Sequence, residues 1–240
     1  MKISATYRIY VESNLSEGSI INLNQEQSHY LTNVLRLKIG DVVRLFNENS
    51  GEYQAYIDSF TKKSCNLKIS KLYRMPFKSS KLSLIQSVIK NDRMAQILDM
   101  STQLGVSGIF PVISDRSQVR TINKERFEKI IIESSEQSER LDVPHLHEVE
   151  KLEDLLSKGL FDKVIMANEN EEIKKLLTKQ DVEGCKNLAI LVGPEGGFTD
   201  RELSFILSNP NVCSISLGSN VLRSETAASA ICAQVNLLRG

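Results

Sequence analysis

Twice near its C-terminal end the chain repeats one order: a short apolar run, a glycine-bearing loop and a helix start. Few sequence features restrict a fold as much. The first run, Leu188 to Val192, is aliphatic, β-branched and bounded by a turn signal, so it predicts a buried strand. Gly193-Pro194-Glu195-Gly196-Gly197 then leaves no room for regular structure. Thr199-x-x-Glu202 has capping-box spacing, which places a helix immediately afterwards and through Leu207. The second run, Val212 to Leu217, leads into Gly218-Ser219-Asn220-Val221-Leu222-Arg223. An alanine-rich segment without glycine or proline then extends to Leu238 and predicts a second helix. Consecutive strand–loop–helix units put both loops at the C-terminal edge of a parallel sheet, where ligands of open α/β sheets sit.

The loop chemistry narrows the ligand. A glycine loop ahead of a helix presents free N–H groups and can cradle phosphate. This one is neither GxxxxGK[ST] nor GxGxxG, and it carries Glu195 and no lysine. A carboxylate there repels a triphosphate, so a neutral or cationic ligand is favoured. The competing reading is a tight turn with no ligand.

At these residues the chain resembles a known family. GPEGGFTDRE, followed by LGSNVLRSETAA, is similar to the paired signature of the ribosomal RNA small subunit methyltransferase E family, within the SPOUT superfamily of knotted methyltransferases. The likeness extends to His29-Tyr30-Leu31, Val34 through Asp41, Asp92-Arg93-Met94, Leu104-Gly105-Val106, Asp115-Arg116-Ser117 and Glu136 through Arg140, nearly the whole chain. It implies methylation of N3 of a uridine in 16S ribosomal RNA by S-adenosylmethionine. Ser219-Asn220 replaces the family's usual Pro-Arg, and Ser224 stands where threonine is common.

Upstream, the grammar changes once. Residues 1–73 read as mostly β, with strands expected at Tyr7–Val11, Val42–Phe46, Tyr53–Phe60 and Cys65–Leu72. Asn24 is a helix cap ahead of the Leu31, Val34 and Leu35 stripe, and Asn49-Ser50-Gly51 marks a turn. A small barrel with one embedded helix is the simplest packing, and the resemblance implies a PUA-like, RNA-binding β-barrel. Residues 74–80 (RMPFKSS) read as a linker. From Lys81 to Gly240 strands and helices alternate, which means a parallel sheet covered on both faces. Expected strands are Leu82–Ile89, Ile109–Ile113, a weaker one near His145–Val149, and Lys163–Ala167. Expected helices are Asp92–Leu104, Lys124–Ser138, Leu152–Ser157 and Glu171–Lys179. A trefoil knot through the last seventy or so residues is implied by the resemblance alone, since knots are nearly absent from proteins. It would bring the loops after Ala167, Val192 and Leu217 around one cofactor.

The formal net charge is zero, with 30 basic and 30 acidic residues, but its distribution is uneven. Residues 36–81 hold ten Lys or Arg against four Asp or Glu, which suggests an anionic partner for the N-terminal part or, alternatively, solvated strand edges. No apolar stretch approaches the ~18 residues of a membrane span, and no signal-peptide pattern opens the chain. Four cysteines lack CxxC or metal spacing and three histidines are dispersed, so reduced thiols in a cytoplasmic protein without a metal are expected.

The implied reaction sets its own requirements. The uridine N3–H is a weak acid, so its proton must leave before or during methyl transfer, through a base or through cationic donors that stabilise the anion. Glu225 and Glu195 are candidate bases and Arg223 the candidate cation; each could instead hold its loop or helix end. The resemblance assigns S-adenosylmethionine to Ala167, Val192, Gly193, Pro194, Glu195, Gly196, Leu217, Gly218, Leu222, Thr226 and Ala227. RNA contacts are expected from Arg8, Arg36, Lys38, Lys62, Lys63, Arg93, Arg116 and Arg140, and a homodimer through the C-terminal helix. The alternatives are a ribose 2′-O-methyltransferase of the same superfamily, disfavoured by LRSETA in the second loop, and a non-catalytic RNA-binding protein, which leaves both glycine loops unexplained.

Overall fold

The structure is a computed structural model that describes residues 7–61, 64–77, 81–168 and 175–239. It divides into two compact units, Met1–Lys78 with Ser135–Val143, and Ser79–Ser134 with Pro144–Gly240.

The first unit is a five-stranded sheet in the order β1-β3-β4-β5-β2, from β1 (Arg8–Tyr10), β2 (Ile20–Asn22), β3 (Val42–Asn47), β4 (Gly51–Phe60) and β5 (Cys65–Arg74). Alternation sends Val43, Leu45, Ala55, Ile57, Leu67 and Ile69 into one core with Ile9, Leu23 and Leu31. Asn24 caps α1 (Gln25–His29) reciprocally with Gln27, and the chain continues as a π-helical turn over Tyr30–Val34. Arg36 then takes a left-handed backbone (φ 57°), which ends the turn at a cost of about 1–2 kcal/mol for a residue with a Cβ. At the β3–β4 turn glycine is required: Gly51 has φ 86°, and a Cβ there would lie 2.4 Å from the Arg74 carbonyl oxygen. β2 escaped the sequence reading because three residues are too few to show a period.

Arg8 was expected on RNA and belongs inside instead. It is 7% exposed; its Nε donates to Glu52 at 2.6 Å, and its Nη atoms donate to the carbonyls of Ser135, Glu136 and Arg140. Glu52, fully buried, also accepts from Arg74 Nε at 2.5 Å. Burial pushes the Arg8 guanidinium down, while Glu52 opposes the shift. A buried cation saturated by one carboxylate and three carbonyls holds the structure together and is not offered to phosphates. Arg140 is likewise engaged, donating to both carboxylate oxygens of Asp142. Lys62 and Lys63 lie outside the described residues.

The second unit is a parallel sheet in the order β12-β10-β11-β6-β7-β8, with β9 also on β7. Its strands are β6 (Leu82–Ser87), β7 (Gly108–Ile113), β8 (His145–Leu146), β9 (Glu150–Lys151), β10 (Lys163–Ala167), β11 (Leu188–Val192) and β12 (Val212–Ile215). β11 is buried at every position, as a strand covered on both faces must be. The helices are α2 (Asn91–Gln103), α3 (Lys124–Gln137), α4 (Leu152–Ser157), α5 (Lys179–Val182), α6 (Asp200–Ser208) and α7 (Ser224–Arg239). Among the described residues no helix is long and apolar enough to cross a membrane.

The helix expected over Glu171–Lys179 is not found where it is described. Residues 175–178 are irregular, and α5 starts one turn later behind a Thr178–Asp181 capping box; residues 171–174 lie outside the described chain. The competing factor is Asp181. It accepts from Thr178 N, Thr178 Oγ1 and Lys175 Nζ at 2.7–3.0 Å, a set of local bonds that fixes the helix start at Lys179. Burial alone would raise its pKa, but the hydrogen bonds from Lys175 and Thr178 outweigh that and hold the carboxyl well below the usual range.

Candidate active site

Parallel register gathers the glycine loops. β12, β10 and β11 are neighbours, with Met166 paired to Leu191 and Ala167 to Ile215, so the three strands end at one level. Their C-terminal ends, Asn168 and the two glycine loops line a cavity of about 380 Å³, within the range of small-molecule sites. Of the eleven residues expected there, Ala167, Val192, Gly193, Pro194, Glu195, Leu217, Gly218, Leu222 and Ala227 line it. Gly196 and Thr226 do not. A Cβ at Gly196 would meet only the alkyl stem of Arg116 at 3.5 Å, and Thr226 is exposed on α7. Sequence reasoning missed Asn168, Gly197, Phe198, Leu203, Asn220, Val221 and Ser224, which with Arg223 complete the wall. Asn220 and Ser224 both belong to the departures from the family signature, so both departures reach the cavity.

Each loop has a local cause. Phe198 folds back beneath Gly193, where a Cβ would lie 3.1 Å from its ring, so glycine permits the close approach. Thr199 and Glu202 form the expected capping box, and Glu202 Oε1 also accepts from Asp115 N at 2.7 Å. Arg116, expected on RNA, instead donates to the Gly196 carbonyl at 2.7 Å and so braces the first loop. Asp115 pairs with Arg201, whose hydrogen bond holds the carboxyl below its usual range. In the second loop Gly218 adopts φ 124°, a conformation that L side chains rarely take.

One relay ties the loops together. Gln86 at the end of β6, fully buried, donates from Nε2 to Ser224 Oγ at 2.9 Å; Ser224 Oγ donates to the Gly193 carbonyl at 3.0 Å. Residues separated by 138 and 31 positions thereby set the position of the first glycine loop against the start of α7. Nothing local in the sequence marks Gln86, because its partner arrives only through the tertiary fold.

The charged candidates divide into two groups. Glu195 and Arg223 both line the cavity, both are exposed, and neither side chain has an ion-pair or hydrogen-bond partner among the described residues. Glu225 is absent from the cavity wall: it is buried, and its Oε1 is taken by Arg93 Nη1, while Oε2 has no partner among the described residues. Arg93 is thereby committed to an internal ion pair. The cavity thus offers one free carboxylate and one free guanidinium, a pair able to accept a proton and to stabilise a developing anion. In the N-terminal unit Arg36 and Lys38 are exposed, as phosphate contacts would have to be.

Comparison with known proteins agrees with this geometry. Residues 76–236 match the RNA methyltransferase domain family and residues 23–70 the RNA methyltransferase PUA domain family. A ribosomal RNA small subunit methyltransferase E of Rickettsia conorii is 41% identical over 96% of this chain and 95% of its own length. The Bacillus subtilis protein of the same name is 28% identical over 94% of each chain. Among solved structures, a Neisseria gonorrhoeae ribosomal RNA small subunit methyltransferase E bound to S-adenosyl methionine superposes with a TM-score of 0.86 at 30% identity, covering 97% of this chain and 98% of that one. A putative methyltransferase of Legionella pneumophila in complex with SAM gives 0.88 at 29% identity, covering 98% of each. With two domain matches in the expected order and a near full-length relative at 41% identity, the chain belongs to the ribosomal RNA small subunit methyltransferase E family.

Proposed function

We propose that this protein transfers a methyl group from S-adenosylmethionine to N3 of a uridine in 16S ribosomal RNA. The observation that carries the reading is the cavity between the two glycine loops and the end of β10, with Glu195 and Arg223 on its wall and without side-chain partners among the described residues. The wall suits the cofactor: Val192, Leu217, Leu222 and Ala227 offer apolar contact for an adenosine, the loop backbone offers hydrogen bonds, and Glu195 offers a counter-charge to a cationic sulfonium or ammonium. Bound there, the cofactor supplies an activated methyl group.

The chain's own residues handle the proton and the charge. Arg223 stabilises the uridine anion by hydrogen bonding to an imide oxygen, and Glu195 takes the N3 proton. Glu225 supports the site through its ion pair with Arg93. The RNA is held by the N-terminal unit, with Arg36, Lys38, Lys62 and Lys63 as phosphate contacts. The protein works in the cytoplasm without a metal. It is a homodimer: Ile231 and Val235 of α7 are spent on the chain's own core, while Ala233 and Leu237 stay exposed for a partner subunit. The chain is knotted, a reading supported by family membership and by α7 packing on β11 and α2 after β12 has paired with β10.

Nucleoside analysis of 16S RNA from cells lacking the protein tests the activity. The expected result is loss of 3-methyluridine, restored by the wild-type chain and not by Arg223→Ala. Loss of a ribose-methylated nucleoside instead would assign 2′-O-methylation, and an unchanged nucleoside profile would refute the enzyme.

A further inference from the structure

The outer face of the five-stranded sheet has a composition that water alone does not explain. Val42, Tyr56, Lys68 and Ile20 are directly opposite one another across β3, β4, β5 and β2, so they form a single row on one face. The adjacent row contains Arg44, Gln54 and Lys71, again in register. Between them lie the inward residues Val43, Ala55 and Ile69, paired in turn and none more than 1% exposed. Tyr73 joins the outward set: the Arg44 guanidinium sits over its ring, 3.7 Å from the centroid. Ile20, Val42 and Tyr73 are 57%, 43% and 48% exposed. Residues 7–77 hold nine of the fourteen exposed large hydrophobic residues described, in less than a third of the described chain.

From this face we infer a base-stacking platform for single-stranded RNA, which rests on the RNA substrate of the proposed function and adds the face and form it recognises. Arg44, Lys68 and Lys71 supply three cations against one acid of the same face, Asp58, so the surface complements a polyanion. Glu52 at its end is neutralised by Arg8 and Arg74. Phosphate binding alone needs cations and no aromatic rings. Tyr56 and Tyr73 bring flat π-faces, and the stacked guanidinium of Arg44 widens one of them, which is how bases without a duplex partner are held. A duplex hides its base faces and cannot use them.

The test is fluorescence anisotropy of the full chain with a labelled mixed-sequence RNA of about 12 nucleotides, near one stacking site's span, against a hairpin of equal length. The wild type should prefer the single strand. Tyr73→Ala and Tyr56→Ala should each weaken it by about 5- to 100-fold, with an unchanged log–log salt slope, and Tyr73→Phe should restore binding. Lys71→Ala should instead reduce that slope by about 0.7. Equal affinity of both alanine variants and the wild type, or hairpin binding as tight as single-strand binding, would overturn the platform. So would wild-type self-association in light scattering that Tyr73→Ala abolishes, since the face would then be a protein interface. Calorimetric S-adenosylmethionine affinity and 3-methyluridine formation on the same preparations report on the enzymatic reading independently, so either can fail without the other.

Discussion

Replacing Ser224 by alanine should loosen the cofactor pocket while leaving the fold in place. The change removes one oxygen that accepts from Gln86 Nε2 at 2.9 Å and donates to the Gly193 carbonyl at 3.0 Å. Each hydrogen bond contributes about 0.5–1.5 kcal/mol net, so the two together amount to about 1–3 kcal/mol. Gln86 Nε2 keeps its bond to the Ser87 carbonyl, so the donor end of the amide is not stranded by the change. The Gly193 carbonyl has no such substitute in the described hydrogen bonds, and Gly193 lines the cavity. If the whole loss falls on loop order, cofactor affinity should drop about 5- to 100-fold, since 1.4 kcal/mol is tenfold. Ser224→Thr retains the hydroxyl and should bind like the wild type. Gln86→Met breaks only the first link and should show roughly half the free-energy loss of Ser224→Ala. Isothermal calorimetry with S-adenosylmethionine gives the affinities, and thermal unfolding shows how much of the loss is global. A folded Ser224→Ala protein with wild-type affinity and wild-type melting temperature would refute the relay.

Three further outcomes follow from the geometry. Gly218→Ala forces a Cβ onto a backbone at φ 124° where nothing lies within 4 Å to clash, so the strain is purely conformational, about 1–3 kcal/mol; calorimetry should show weaker cofactor binding, and an unchanged affinity would mean the loop relaxes freely. Glu52→Ala strands the Arg8 charge in a site where it is 7% exposed, and urea denaturation should show a loss of about 3–5 kcal/mol; a loss below about 1 kcal/mol would show that the three carbonyls suffice. Asp181 has a folded pKa depressed below the usual carboxylate range, so its contribution is present above the unfolded pKa and disappears as pH falls through the folded value. Asp181→Asn should therefore be less stable at pH 7 and should lose less stability than the wild type on going from pH 5 to pH 2; parallel acid limbs in denaturation would contradict the assignment.

Local chemistry was legible wherever a residue's partner is near it in the chain. Asn24 with Gln27 and Thr199 with Glu202 are three residues apart, and both caps sit where their spacing puts them. β11 and α7 could be read from uninterrupted apolar or alanine-rich composition, because burial on both faces and helix propensity act residue by residue. Two glycine loops after two parallel strands also placed the cavity, since parallel strands must end on the same edge. The short β2 and the irregular stretch before α5 were not legible, one for want of a period and the other because Asp181 redirects the backbone.

Charged residues divide along the same line. Arg8, Arg36, Arg93, Arg116 and Arg140 look alike in the sequence, and each was a candidate for RNA, Arg36 from the basic segment and Arg93, Arg116 and Arg140 from strand and helix ends of the catalytic half. Only the fold separates them: Arg8 reaches a carboxylate 44 positions away and carbonyls more than 120 away, Arg93 meets Glu225 from 132 positions away, and Arg116 reaches Gly196 from 80. Arg36 remains in solvent. A guanidinium engaged by an internal acceptor is less available to a ligand, and for Arg8, Arg93 and Arg116 those acceptors come from remote segments, whereas Arg140 meets Asp142 two residues on. Sequence alone determined most of the strands, the caps at Asn24 and Thr199, the edge that carries the loops and the family signature. Tertiary structure decided which charges face the cavity, because electrostatic partners are set by distance in space and not by distance along the chain.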